Sequence, residues 1–396
     1  MRRIDLKKAS VARSNTIRDI NRQIVLNYVR EKGPISRADI AKETDLQRST
    51  VSHIVKELTT FNLIKEVYGE SSGGRPPALL TLRSARPVAI GVDLGTVKTT
   101  VGCCDLTGRI IDKEEFWTDP DEQKTTKKII ERVLGLLEKY DGTIEGIGVS
   151  LPALVDSTKE HVLYSPHFTW RNPQTIEKIS EATGLRVTAE NDANASALAE
   201  LWFGRLEVRD VRDFILVFIE NGIGTGIVFD GQIYRGRGGV AGEFGHMRIG
   251  TDAPIACATG SRECWEAFAS EKAALSRYAT LLGDHRFADR LNFFQLVDLA
   301  FSNDQNALTA LRETAKYIGI GMGNLIQGLS PEAIVIGGTI VRAWPLIGKD
   351  VEEAAGNVVC QGVHETRIIP SSLGAEPGLL GAFSLVLADK FASISL

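Results

Sequence analysis

The sequence predicts a basic winged helix-turn-helix head followed by an α/β body of two duplicated lobes. Three observations carry this reading. Charge is unevenly divided: residues 1–84 hold 16 Lys/Arg against 9 Asp/Glu, whereas the remainder holds 30 against 41. Two short helical patterns joined by a tight turn stand in the basic part. The order strand, glycine turn, strand, Asp-containing turn, strand occurs twice in the acidic part, as expected of a duplicated unit. At 396 residues the chain also exceeds the roughly 250–300 at which single cores stop growing, so several domains are expected. We place them at 1–84, 85–200 and 201–396, with the C-terminal helix returning to the first lobe.

In the head, Ile17, Ile20, Ile24, Val25, Tyr28 and Val29 recur at helical spacing between Thr16 and Lys32, and Lys32-Gly33-Pro34 ends the helix. Ser36 and Asp39 form a capping pair, with Ile35 and Ile40 at the spacing of a hydrophobic staple, so a second helix starts at Ser36. After the turn at 44–47, Val51, Ile54, Val55 and Leu58 make the buried stripe of a third helix. Arg48, Ser49, Thr50, Ser52, His53 and Lys56 are left on or near its outer face, with Arg37 at the start of the second helix. Small polar and basic side chains at the start of such a helix suit base edges and phosphates in a major groove. A plain three-helix bundle has the same periods, but the basic excess favours a polyanion. Strands at 63–68 and 78–82 make a wing. Within it, Gly73-Gly74-Arg75-Pro76-Pro77 presents Arg75 on an extended chain, suited to a narrow minor groove or serving as a linker.

The body opens with a strand, the turn Asp93-Leu94-Gly95-Thr96-Val97-Lys98, and a strand holding Cys103 and Cys104 as core thiols. A helix over 123–140 and one strand over 144–156 follow. The strand ending near Ala189 runs into Glu190-Asn191-Asp192-Ala193-Asn194, which opens a helix. An Asn or Asp at that junction faces a cleft or caps the helix. The second copy carries the turn Gly222-Ile223-Gly224-Thr225-Gly226, and Gly337-Gly338 follows a later strand. Glycine turns can cradle phosphates with backbone N–H groups, and close packing asks for glycine equally. Glu243, His246 and Glu266 can exchange hydrogen bonds with ring hydroxyls. His246, Cys257 and Cys264 are three metal-ligand types, one short of a tetrahedral zinc shell. The five scattered cysteines suit reduced thiols, and no apolar run approaches ~20 residues, so a cytoplasmic protein without membrane contact is expected.

The run "IENGIGTGIVFDGQIYRGRGGVAGEFGH" (219–246), with "DLGTVKTT", "ENDANASALAE" and "CATGSRECWE", resembles the ROK family of sugar kinases and sugar-responsive repressors. Its lobes share the actin-like/hexokinase-like fold, built from RNase H-like halves. With the head and "GGRPP", residues from about 15 to 390 resemble the repressor branch. The resemblance implies Asp192 as the group that takes a proton from the sugar hydroxyl in a kinase. Asn191, Glu243, His246 and Glu266 are the other implied sugar contacts. Asp93, Gly95, Lys98, Gly224, Thr225, Gly226, Gly337 and Gly338 stand at the family's phosphate-binding positions. Family kinases read Asp-x-Gly-Gly-Thr-Lys at the first turn. Thr96 and Val97 here remove backbone freedom and a hydroxyl, so neither ATP/Mg binding nor kinase activity is expected.

The family's zinc loop reads Cys-x-Cys-Gly-x-x-Gly-Cys-x-Glu with a histidine as fourth ligand. Thr259 replaces its middle Cys and Glu263 a Gly, so a metal-free loop is expected. A zinc, if bound, would use His246, Cys257 and Cys264, with Glu263 or water completing four. The leading expectation is a repressor that binds operator DNA through its head and releases it when a sugar or sugar derivative enters the interlobe cleft. The alternatives are an active sugar kinase with a DNA-binding head, and a DNA-binding protein controlled by a protein partner. Reading two half-sites implies a homodimer or a tetramer of dimers.

Overall fold

A computed structural model describes residues 14–69, 77–84, 86–140, 142–156, 161–165, 170, 174–209, 211–284, 290–360, 362 and 365–391. The head comprises α1 (Ser14–Lys32), β1 (Ile35–Ser36), α2 (Arg37–Thr44), α3 (Arg48–Thr60), β2 (Ile64–Tyr68) and β3 (Ala78–Leu82), its strands in the order β1-β3-β2. Ser36 caps α2 by accepting from the Asp39 N–H at 3.1 Å, and Ile35 and Ile40 are both buried. On α1 the buried face is Val25, Leu26 and Val29, whereas Ile17 and Ile24, expected inside, are exposed. The helix is wetter at its start because it meets neighbours mainly over its second half.

The first lobe contains β4 (Ala89–Leu94), β5 (Lys98–Cys104), β6 (Ile110–Trp117), α4 (Glu122–Lys139), β7 (Ile147–Leu151), β8 (Leu154–Asp156), β9 (His161–Tyr164), α5 (Thr175–Thr183), β10 (Val187–Asn191) and α6 (Asp192–Phe203). A short α7 (Leu206–Arg209) leads to the second lobe. That lobe contains β11 (Phe214–Ile219), β12 (Ile223–Phe229), β13 (Gln232–Ile233), α8 (Trp265–Ala269), α9 (Glu271–Leu281), α10 (Phe293–Phe301), α11 (Gln305–Leu329), β14 (Ala333–Gly337), α12 (Trp344–Gly356) and β15 (Arg367–Pro370). The chain ends in α13 (Pro377–Phe391).

The sheet orders β10-β7-β4-β5-β6 and β15-β14-β11-β12-β13 are the same topology. In each, three antiparallel strands open the lobe and two parallel strands extend it beside the first. The expected single strand over 144–156 is instead two, because Pro152 lacks the N–H a ladder needs, and β8 turns away to pair with β9.

Two helices fill the space between the sheets: α13 packs on β4 and β7, α6 packs on β12 and β11, and the two pack on each other. Gly148 permits this approach, since a Cβ there would overlap the Ala382 carbonyl. The head is continuous with this layer. Its core residues Val25, Leu58 and Leu80 join one apolar cluster with Cys104, Phe383 and Phe391. The Arg30 guanidinium of α1 lies 4.3 Å over the Trp202 ring of α6 and 5.0 Å over the Phe391 ring of α13, and Asn27 Nδ2 donates to the Phe391 carbonyl at 2.8 Å.

Candidate functional sites: a recognition helix and an interlobe cleft

On α3, Val51, Ile54, Val55 and Leu58 are buried, while Arg48, Ser49, Ser52, His53 and Lys56 are exposed and Thr50 is half-buried. Gln47 precedes α3 without a side-chain cap, so the first N–H groups of this 13-residue helix are satisfied by no capping side chain. Such a terminus receives phosphate well. His53 Nε2 is 3.3 Å from Glu57, which also pairs with Arg18 of α1, and Arg37 pairs with Glu66 of the wing strand. Those two positions are partly engaged by structural contacts, whereas Arg48, Ser49, Ser52 and Lys56 face outward. Arg75 and its glycines lie outside the described residues.

Between the lobes lies a cleft of about 410 Å³, within the range of small-ligand sites. Asp192 and Asn191 reach it from the start of α6, Asp93, Gly95 and Thr96 from the first turn, Glu220 and Gly222 from the second, Glu243 and His246 from the segment beyond β13, and Glu266 from the first turn of α8. Pro377 and Gly378 at the start of α13 complete the lining. Asn191 serves two roles: its Oδ1 caps α6 by accepting from the Ala193 and Asn194 N–H groups at 3.0 and 3.2 Å, and its Nδ2 donates to the Ala153 carbonyl at 3.2 Å. Asp192 Oδ1 accepts from the Ala193 N–H at 2.8 Å. Glu266 is 6 % exposed; it accepts from the Ile223 N–H at 3.3 Å and the Ala258 N–H at 3.0 Å, so it clasps the second turn to the cysteine loop.

Asp93, Asp192, Glu220, Glu243 and Glu266 put five carboxyl groups on the cleft, and none of its described lining residues is Lys or Arg. Burial, then the neighbouring charges of Asp192, Glu220 and Glu376, pushes Asp93 up to about 8. Burial, then Asp192, lifts Glu220 to about 7. Glu271, behind Glu220, is lifted to about 8 by burial and then by Glu220. Like charges so close disfavour simultaneous ionisation.

The candidate phosphate positions separate. Asp93, Gly95 and Gly224 line the cleft; Lys98, Thr225, Gly226, Gly337 and Gly338 are not among its lining residues. Lys98 turns to Glu115 at 3.4 Å and lies over the Trp117 ring. Gly226 sits beneath α6, where a Cβ would come 2.5 Å from the Ala193 carbonyl and 2.6 Å from the Ala197 Cβ. Thr225 donates its hydroxyl to the Gly242 carbonyl, and Gly338 lies against the Ile219 carbonyl. At these positions close backbone approach explains the sequence. Val97 is 53 % exposed and stays clear of the cleft lining.

His246, Cys257 and Cys264 do come together, one donor atom from each lying within 4.8 Å of the others. Glu263, an expected fourth ligand, is not in that group; it pairs with Arg248 at the surface. Sequence reasoning missed Glu220 and the pair of Glu190 with Arg235, which joins β10 to the segment after β13 at 2.6 Å. Glu220 was findable, because it stands two residues before the first glycine of its turn, as Asp93 does in the other lobe. The Glu190 pair had no local signal.

A family model described as "ROK family" matches residues 89–389, and one described as "Winged helix-turn-helix DNA-binding" matches residues 18–65. The chain is 32% identical to the xylose repressor of Bacillus spizizenii over 383 residues, covering 95% of this chain and 97% of that protein. It is 27% identical over 390 residues to the DNA-binding transcriptional dual regulator NagC of Escherichia coli, covering 96% and 95%. Among solved structures, a ROK family transcriptional regulator homologous to the E. coli MLC protein covers 95% of this chain and 98% of its own, at TM-score 0.78 and 27% identity. A ROK family glucokinase from Streptomyces griseus, in complex with glucose and AMPPNP, covers 75% and 98%, at TM-score 0.67 and 31% identity.

Proposed function

This chain belongs to the ROK family, and from that membership, joined to its DNA-binding head, we infer that it is a sugar-responsive transcriptional repressor. It binds operator DNA through α3 and its neighbours, and a sugar is its effector. The observation that carries this reading is the pairing of an exposed basic recognition helix with a carboxyl-lined cleft in one continuous structure. We propose that the sugar sits between Asp192, Glu243, His246 and Glu266, whose acceptors match ring hydroxyls. Closure of the lobes on it favours a state whose heads no longer fit two half-sites, releasing DNA by differential affinity. The contact chain supports such coupling: α6 and α13 both begin in the cleft and both end beneath Arg30 of the head. A symmetric dimer, or a tetramer of dimers, would supply the two heads.

The effector is proposed to be an unphosphorylated sugar, because a cleft lined by carboxyl groups, with no Lys or Arg among its described lining residues, offers a phosphate no cationic partner. The relatives named xylose repressors make D-xylose the first candidate. Phosphoryl transfer is not expected, since Thr96 and Val97 stand where the family's kinases carry Gly and Thr, and Lys98 turns away to Glu115. Calorimetric titration with D-xylose, D-glucose and D-glucose 6-phosphate, run beside a coupled ADP-release assay, tests both points. Binding of a free sugar without ATP turnover is expected. Tighter binding of the sugar phosphate, or sugar-dependent ADP release, would overturn the corresponding part.

A further inference from the structure

We propose that Arg18, from α1, sets the base preference of the recognition helix by fixing which nitrogen of His53 carries the ring proton. On α3, Ser49, Ser52, His53 and Lys56 recur at helical spacing on one exposed face, so His53 stands within the surface offered to a major groove. Its ring is held there from one side. Arg18 Nη2 lies 3.4 Å from His53 Nε2. The same guanidinium pairs with Glu57, one turn along α3, whose Oε1 is 3.3 Å from that nitrogen. The Glu57 side chain is 18 % exposed and the His53 side chain 65 %, so the acid is largely covered while the ring stays open to DNA.

The direction of the hydrogen bond follows from the chemistry of its partners. A guanidinium only donates, so His53 Nε2 accepts with its lone pair. The proton of the neutral imidazole then sits on Nδ1, the nitrogen left for the DNA. Guanine presents two acceptors, O6 and N7, to the major groove, whereas adenine has an amino donor in place of O6. As a donor at Nδ1, His53 reads guanine in preference to adenine.

A brace kept for stability alone explains less. Glu57 Oε2 is buried without a hydrogen-bond partner, a costly arrangement for a carboxylate, and apolar side chains would join α1 to α3 without that cost. What apolar side chains cannot do is hold Nε2 as an acceptor. With Arg18 removed, Glu57 is left beside Nε2. A carboxylate only accepts, so the ring proton moves to Nε2, and Nδ1 becomes an acceptor suited to the adenine amino group. Arg18 is thus a positioning residue that acts on the DNA through His53.

The inference rests on α3 being the helix that reads the groove, and the test separates the two. Full-length wild type and variants are titrated with a duplex selected from a random library by the wild type, and with its single-base-pair substitutions. His53→Ala should flatten the preference at one base pair in each half-site, which marks the base the ring reads. There, wild type and Arg18→Lys, which keeps a cationic donor, should favour guanine over adenine by about fivefold or more. Arg18→Met should lose or reverse that preference while every other position keeps its own. In a His53→Ala background, Arg18→Met should change no base preference. Uniform weakening on all duplexes would make Arg18 a phosphate contact and overturn the inference. So would an unaltered guanine preference in Arg18→Met, a change of preference that survives in His53→Ala, or no position flattened by His53→Ala. A wild type that selects no sequence would bring down the operator reading itself, and this inference with it.

Discussion

The two glycine turns occupy the same place in two lobes of one topology, yet they have been put to different use. In the first, Asp93, Gly95 and Thr96 face open cleft, and Val97 projects into solvent. In the second, the Glu266 carboxylate fills the space a Gly222 Cβ would need, and α6 lies directly on Gly224 and Gly226. Each turn carries an acid two residues before its first glycine, and both acids, Asp93 and Glu220, are raised by burial and by the charge of Asp192. The difference shows that a shared motif fixes where the chain turns, while the neighbours decide how much of the turn is left open to the cleft and how much is packed under a helix.

The largest expected effect comes from filling the closed turn. Gly222→Ala places a Cβ 2.5 Å from Glu266 Oε2, so Glu266 must move. Sugar affinity is expected to drop on the order of tenfold or more, with about 1–3 kcal/mol of stability lost to overpacking. Val97→Gly in the open turn should change sugar affinity less than twofold. Calorimetry and thermal melts of both variants check this, and equal losses would erase the contrast between the turns.

A second effect separates the two acids by pH. The unfolded chain releases the Asp93 proton near the ordinary carboxyl value of 3.8, whereas the folded chain holds it to about 8. Asp93's contribution to stability is therefore fully present below about pH 4 and is lost as pH rises through about 8. Asp93→Asn removes that slope, so its melting temperature should gain on the wild type between pH 5 and 8, by a few degrees. Glu220→Gln should gain over a range ending nearer 7. Parallel melting curves for wild type and Asp93→Asn across pH 5–9 would contradict the burial argument.

The smallest effect lies at the far ends of the helices that leave these turns. Arg30→Ala removes the guanidinium stacked on Trp202 and Phe391, a contact worth up to about 2 kcal/mol when desolvated. Sugar affinity should remain within twofold, while the shift in operator affinity caused by sugar shrinks several-fold. An undiminished shift would mean that coupling between cleft and head runs elsewhere.

Most of the fold was legible because its signals are local. The Ser36 cap, the Ile35–Ile40 staple, the buried stripe of α3 and the wing strands were all readable from spacing alone. The duplicated β-β-β opening was readable because strand and turn residues repeat in order. What failed was set by distant partners. Pro152 split an apparent strand because β9 was available to pair with β8. Lys98, Gly226 and Gly338 matched phosphate positions in sequence, but Glu115, α6 and the Ile219 carbonyl took them for packing. Asn191 was readable as either a cleft residue or a cap, and it lines the cleft while capping α6. Glu263 has the chemistry of a metal ligand in sequence, but its carboxylate pairs with Arg248 at the surface.

Operator binding measured against sugar tests the central claim most directly. A duplex selected from a random library by the full-length protein is titrated with that protein, alone and with saturating D-xylose or whichever free sugar binds the cleft. The account predicts at least a tenfold loss of operator affinity with sugar, and no loss for Asp192→Asn, whose sugar-free operator affinity matches the wild type. A sugar that occupies the cleft yet leaves operator affinity unchanged would contradict it.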